Sequence, residues 1–432
     1  MPSFSTRAFL PSFAIVVSIL AIANQPHAAN WPQWRGPNLD GTSAETDLPL
    51  TWGPEQNVAW KLALPAGSGS TPVVWGDRVF LTLAENEKEG ELFLWCVDGG
   101  DGKVLWRRSL GGGNEFLRKH DMASPSPVTD GKRVWVMTGT GIVRAFGLAG
   151  ETLWTRDLQA DYGKFGLQWG YASSPLLWDG ALFIQVLHGM HTDDPSYLLR
   201  LHAGTGETAW RVERPTDAVT ESPDAYSTPM VWEGEDGAEI VVSGGDVVTG
   251  SDPATGKELW RARVLNPENS PSHRIVTTPL VADGLVFAFG KRGPVVAIRP
   301  GGRGDVTGSH VVWTMDKGTD VPTPVSDGKH LYVVNDRGIA SCIEASSGKV
   351  VWGPERLETE GPYSASPILA DGRIYATSED GTTIVLAAAT ELRVLAQNRL
   401  GEYTLGSPAV AGGRIYLKTA EHLWAIGAGR GK

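Results

Sequence analysis

Apolar and polar residues alternate with a period of two along most of the chain. Short runs of large residues recur as Val134-Trp135-Val136, Leu182-Phe183-Ile184, Leu331-Tyr332-Val333, Ile374-Tyr375-Ala376 and Ile415-Tyr416-Leu417. A period of two belongs to β-strands, whose successive side chains point to opposite faces. Turns punctuate the runs. Asp130-Gly131, Asp179-Gly180, Asp283-Gly284, Asp327-Gly328 and Asp371-Gly372 precede strands, and Asn335-Asp336-Arg337-Gly338 and Glu379-Asp380-Gly381 follow them. Asp-Gly suits a tight hairpin because Gly accepts a positive φ.

The runs are parts of a larger repeat. Ser or Thr, then Pro, then apolar residues opens eight copies: Thr71-Pro72, Ser126-Pro127, Ser174-Pro175, Thr228-Pro229, Thr278-Pro279, Thr323-Pro324, Ser366-Pro367 and Ser407-Pro408. The Pro-to-Pro steps are 55, 48, 54, 50, 45, 43 and 41 residues, room for four short strands in each unit. A unit closes on a Gly turn and a Trp, as in Asp101-Gly102-Lys103-Val104-Leu105-Trp106, Thr205-Gly206-Glu207-Thr208-Ala209-Trp210 and Ser347-Gly348-Lys349-Val350-Val351-Trp352. In the seventh unit Leu395-Ala396 stand where the Trp is expected. A Trp on an outer strand can lay its indole between units over a Gly or Ala and keep an N–H for a backbone carbonyl. Trp60, Trp106, Trp154, Trp210, Trp260, Trp313 and Trp352 are therefore expected to dock one unit on the next.

The eighth copy stops near Ile426, before its outer strand, while Asn57-Val58-Ala59-Trp60-Lys61-Leu62 carries a Trp in the repeat position. The expected fold is all-β: an eight-bladed β-propeller of four-stranded antiparallel blades, its ring closed by an N-terminal strand, which removes exposed sheet edges. The propeller spans 57–426. A Trp- and Pro-rich strap over 30–56 precedes it and a short tail over 427–432 follows.

The phrase Ala254-Thr255-Gly256-Lys257-Glu258-Leu259-Trp260, with the Ser/Thr-Pro and Asp-Gly phrases, resembles the pyrroloquinoline-quinone (PQQ)-like propeller repeats over roughly 57–426. The segment Trp31-Pro32-Gln33-Trp34-Arg35-Gly36-Pro37 is similar to the opening of exported, planctomycete-type members. Two groups in that family imply different functions. One contains quinoprotein alcohol and sugar dehydrogenases, with a vicinal Cys-Cys disulfide over the quinone, Glu and Asn on calcium and a catalytic Asp. The other is the non-catalytic outer-membrane assembly propeller, BamB. A shared fold does not choose between them.

Composition narrows the choice. The formal charge of −11, without a run of Lys or Arg, argues against binding nucleic acid. Cys96 and Cys342 are the two cysteines. Neither lies in a CxxC or CxxCH pattern and they are not adjacent, so neither zinc, covalent haem nor the dehydrogenase disulfide is indicated. Each precedes a Gly-Lys turn by the same offset, which places them at one repeat position of the first and sixth blades and predicts two separate buried thiols. Arg7 followed by the apolar stretch from Ala8 to Ala23 reads as a signal peptide over 1–29, with small-residue cleavage sites before Asn24 or Asn30. The protein is expected to be exported to the periplasm or beyond, with no integral membrane span after cleavage, and to be a monomer.

The loops that end just before each Ser/Thr-Pro meet at one mouth of the ring. They hold His120, Asp121, Gln168, Trp169, Tyr171 and Tyr226, and further on His273, Arg274, Asp320, Tyr363 and Tyr403. Such aromatics with a few polar groups form a candidate ligand site for a peptide, carbohydrate or quinone. The alternative reading is that they cap the channel and tie blades together. His188-Gly189-Met190-His191 with Asp193 and Asp194 has metal-like spacing but reads better as exposed loop. No catalytic set and no cofactor-binding residue is assigned. The expected function is an exported binding or scaffold propeller in outer-membrane or envelope protein assembly, its partners being envelope proteins or peptides. The alternatives are a PQQ-dependent alcohol or sugar dehydrogenase, for which PQQ and calcium would be required, and a carbohydrate-binding accessory protein.

Overall fold

The computed structural model describes Met1, Pro2 and residues 30–235 and 237–428; the signal-peptide reading falls on 3–29 and lies outside them. Among the described residues eight small sheets follow one another, each with a core of four antiparallel strands. Blades 1 to 7 occupy 73–112, 128–157, 176–213, 230–263, 280–315, 325–356 and 368–399. Blade 8 takes Ala409–Ala411, Arg414–Lys418 and His422–Ile426 from the C-terminal end and Val58–Ala63 from the N-terminal end, paired antiparallel as Trp60↔Ala425 and Leu62↔Leu423. The ring is thus an eight-bladed β-propeller closed by the N-terminal strand.

The Ser/Thr-Pro phrase has a physical role in closing the inner circle. The N–H of each Ser or Thr donates to the hydroxyl of its counterpart in the next blade: Thr71 to Ser126, then on to Ser174, Thr228, Thr278, Thr323, Ser366 and Ser407, over 2.9–3.2 Å. The Pro that follows has no N–H to place, which suits the head of an inner strand. The Thr71 hydroxyl, at the seam with blade 8, has no partner among the described residues. A buried lysine serves that seam instead: the Lys418 ammonium donates to the Ser68 and Ser70 hydroxyls, and to the Thr82 carbonyl at 3.2 Å.

Six of the seven predicted docking indoles donate to a carbonyl of the next blade. Trp60 reaches Gly99, Trp106 Leu148, Trp154 Ala203, Trp210 Pro253, Trp313 Ala345 and Trp352 Ala389, over 2.8–3.1 Å. The turn glycine of that blade lies under the ring in five cases; a Cβ on Gly102, Gly206, Gly256 or Gly348 would come within 2.8 Å of the indole, and one on Gly150 within 2.9 Å. Trp260 corrects the expectation. Its indole donates to Glu239 of its own blade at 2.6 Å and lies over Gly250 on the adjacent strand. Blade 4 has Val241, not an aromatic, in the register opposite Gly250, and Gly304–Asp305 adds a parallel strand outside Trp260–Arg261, so the ring is enclosed within that sheet.

Blade 7 lacks its tryptophan because Ala396 occupies the register opposite Val385. The strap supplies one. Trp52 stacks on Tyr375 with centroids 6.3 Å apart, and its backbone N–H donates to the Asn398 side chain at 2.9 Å. Both cysteines are buried and free, at equivalent registers: Phe80↔Cys96↔Trp106 in blade 1 and Tyr332↔Cys342↔Trp352 in blade 6.

Candidate ligand site in the channel

The strap does more than pack on the ring: it enters the channel. Trp31 bridges to Val74 of blade 1, the Thr129 N–H of blade 2 donates to Pro32, and Gln33 exchanges hydrogen bonds with Leu177 of blade 3. Arg35 is buried, and its guanidinium donates to the carbonyls of Pro324 and Pro367 in blades 6 and 7 at 2.9 and 3.0 Å and to Asp40 at 2.9 Å. Burial lowers its pKa to about 10. Thr42–Ser43 then pairs in parallel with Leu369–Ala370. A segment bonded to five inner strands plugs the channel and leaves a cup of about 380 Å³ on the other side, with Trp34 among its lining residues.

His120, Trp169, Tyr226, Arg274, Asp320 and Tyr363 of the predicted mouth residues line this cup. The Trp169 indole donates to Glu221 at 3.0 Å and its backbone N–H to the Tyr226 hydroxyl at 3.1 Å. Arg274 lies 3.7 Å from Glu221 and 3.6 Å from Asp320, and Arg292 lies 3.9 Å from Asp320. Burial lowers the pKa of His120, and its Nε2 has no partner among the described residues.

The other five predicted residues are placed elsewhere. Asp121 is buried behind the wall, where it accepts from the Ala123 N–H and the Ser124 hydroxyl; burial raises its carboxyl to about 6 against the opposing pull of Lys418. Gln168 contributes a backbone N–H to Asp224. Tyr171 is a core residue whose hydroxyl donates to Gln185, and His273 accepts from the Lys291 N–H. Tyr403 is exposed on a neighbouring hollow with Glu379. The His188-x-x-His191 spacing builds no group of three ligands among the described residues, and against the exposed-loop expectation His188 is buried, its Nδ1 accepting from the Gly166 N–H.

Sequence reasoning missed Trp34, Arg118, Lys119, Arg292 and Asp336. Arg292 and Asp336 sit in hairpins between second and third strands, which open on the same mouth as the interblade loops. Their Gly-containing turns were visible, but not which face they reach. The inner hydroxyls Ser126, Ser174, Thr228, Ser366 and Ser407 also line the cup, and the Ser/Thr-Pro phrase was their signal.

Fold and repeat together define a β-propeller built from PQQ-like repeats. The chain belongs to the family described as outer membrane protein assembly factor BamB, which it matches over residues 53–164 and 90–354. It is similar to the outer membrane protein assembly factor BamB of Yersinia pestis, at 23% identity over 74% of this chain and 76% of that one. The BamB of Moranella endobia is 24% identical over 81% of this chain and 83% of that one. Among solved structures, BamB from Moraxella catarrhalis superposes with a TM-score of 0.61 at 14% identity, covering 85% of this chain and 99% of that one. A europium-containing methanol dehydrogenase superposes with a TM-score of 0.68 at 12% identity, over 92% and 90%. At these identities the superpositions speak for the fold.

The residues of the cup do not fit the quinone and calcium of the dehydrogenases. Cys96 and Cys342 lie in separate blade cores and cannot cap a quinone. The lining contains no Glu and no Asn, and its Asp320 faces Arg274 and Arg292, whose charges oppose a divalent cation at that carboxylate.

Proposed function

We propose that this protein is an exported, non-catalytic binding propeller that engages envelope polypeptides at the cup during outer-membrane or envelope protein assembly. The plugged channel carries the reading. A blind, aromatic-walled cup of about 380 Å³ is of the size that holds a ligand or a short piece of chain. The one imidazole in its wall, His120, pairs with no hydroxyl among the described residues, and the lining Ser364 hydroxyl donates to the Glu379 carboxylate instead. Family membership supports the choice of partner class, and the apolar leader supports export. Removing the protein from its host should lower the level of folded outer-membrane or envelope proteins in quantitative envelope proteomics. Purified protein given PQQ and Ca²⁺ should not reduce dye with alcohols or sugars. Dye-linked oxidation with stoichiometric PQQ uptake would refute this function and establish the dehydrogenase instead.

A further inference from the structure

One segment of the mouth is held to the ring by side chains alone. Between blades 1 and 2 the chain departs at Asn114, whose backbone N–H donates to Gly90 and whose side chain bonds the Asn86 carbonyl and the Met122 N–H. Asn114 thus ties together both ends of the excursion. At its tip the Leu117 N–H donates to His120, and the Lys119 and His120 N–H groups donate to Leu117. Among the described residues, no backbone group of Glu115–Lys119 bonds outside this turn. Its side chains reach out in two directions. The Arg118 guanidinium lies 5.2 Å over the ring of Trp169, in the loop between blades 2 and 3. The Lys119 ammonium donates at 2.6 Å to Glu379, in a hairpin of blade 7. A loop between blades 1 and 2 that meets both the next interblade loop and, beyond blade 8, blade 7 must overhang the mouth.

The partners of that ion pair stand in different hollows. Lys119 lines the cup, whereas Glu379 lines the neighbouring hollow of about 400 Å³ with Arg399 and Tyr403; Pro362 lines both. The pair is therefore the partition between them. Its two halves differ in freedom. The Glu379 side chain is 7% exposed and also accepts from the Ser364 and Tyr403 hydroxyls, while Lys119 is 48% exposed. An ion pair with one half in water is weak and screened by salt, which suits a latch that opens and recloses.

We propose that the turn Glu115–His120 is a lid on the cup, latched by Lys119 on Glu379, and that its release joins the cup to the hollow over blade 7 as one trough for an extended polypeptide. This rests on the proposed binding function and deepens it: a blind cup takes a chain end or a single side chain, a trough a run of residues. The first test reads access without a ligand. A cysteine set in the cup wall by Ala172→Cys is labelled with fluorescein maleimide on the full chain, and buried Cys96 and Cys342 are the slow background. Lys119→Ala should speed labelling roughly two- to fivefold, the range a half-exposed ion pair supports, with an unchanged thermal midpoint. Lys119→Glu should speed it further, and Lys119→Arg should keep the slow rate. NaCl at about 0.5 M should speed the parent and leave Lys119→Ala unchanged. If Ala172→Cys fails to fold, Val321→Cys elsewhere in the wall serves. Unchanged rates in Lys119→Ala and Lys119→Glu, or a parent labelled as fast as its urea-unfolded chain, would overturn the lid. The second test adds an unlabelled random decapeptide library. It should protect Tyr403→Cys in the hollow as well as Ala172→Cys in the cup; protection of the cup alone would overturn the trough, and protection of neither would overturn it together with the binding function. Failure of the labelling test leaves that function standing, whereas PQQ-dependent dye reduction removes the function and leaves the lid.

Discussion

Replacing Gly206 by Ala tests how blades are held together. Gly206 sits at φ +75°, and an added Cβ would come 2.6 Å from Cε3 of the Trp154 indole of the preceding blade. The backbone cannot yield easily: the Gly206 N–H donates to His202 at 2.8 Å and its carbonyl accepts from Arg156 at 2.6 Å. The indole must therefore move, straining its 3.0 Å bond to Ala203. The left-handed backbone costs an L-residue about 1–2 kcal/mol, and overpacking adds about 1–3 kcal/mol, so the loss should be about 2–5 kcal/mol. Gly372 is the internal control. Its φ is +66° and a Cβ there meets nothing within 4 Å, so Gly372→Ala should show the backbone cost alone, about 1–2 kcal/mol. Urea unfolding followed by circular dichroism, with midpoints compared at constant slope, gives both values. In a Trp154→Ala background the penalty at Gly206 should shrink to that at Gly372. If Gly206→Ala costs no more than Gly372→Ala in the wild-type protein, the glycines are not seats for the indoles and the docking account fails.

Two further outcomes follow from buried titratable groups. Burial lowers Lys418 to about 7 from an ordinary value of 10.5 and raises Asp121 to about 6 from 3.8. Between about pH 7 and 10.5 the unfolded chain holds the lysine proton that the folded chain has released, so stability rises with pH; between 3.8 and about 6 the folded chain holds the extra aspartate proton, so stability falls as pH rises. The double variant Lys418→Met, Asp121→Asn should flatten both slopes in urea midpoints measured across pH, and a profile parallel to that of the wild type would show that the pair does not titrate. Burial also raises the Cys96 and Cys342 thiols to about 11 and about 12. Thiol titration under non-reducing conditions should find two slow thiols per folded chain and two fast ones in denaturant; none in denaturant would mean a disulfide and a different blade order.

The repeat was legible in the sequence because each blade must solve the same local problems in the same order. A Pro heads the inner strand, Gly turns the hairpins, and a Trp seals the outer strand. Period and spacing therefore determined strand order, blade number, the closing role of Val58–Ala63 and the separation of Cys96 from Cys342. Six of the mouth residues were found the same way, as they sit at one repeated position of the interblade loops. Tertiary structure alone decided what depends on contacts between distant parts of the chain. Trp52 fills the gap left by Ala396 although 344 residues separate them in the sequence. Arg35 crosses the ring to the carbonyls of Pro324 and Pro367. Arg292 joins the cup from the tip of a Gly-containing hairpin, and the repeat does not say which face that tip reaches. Local periodicity reports how a strand faces its own sheet. Which segment enters the channel, and which side chains then share its cup, is set by the closed ring and by the strap that blocks it.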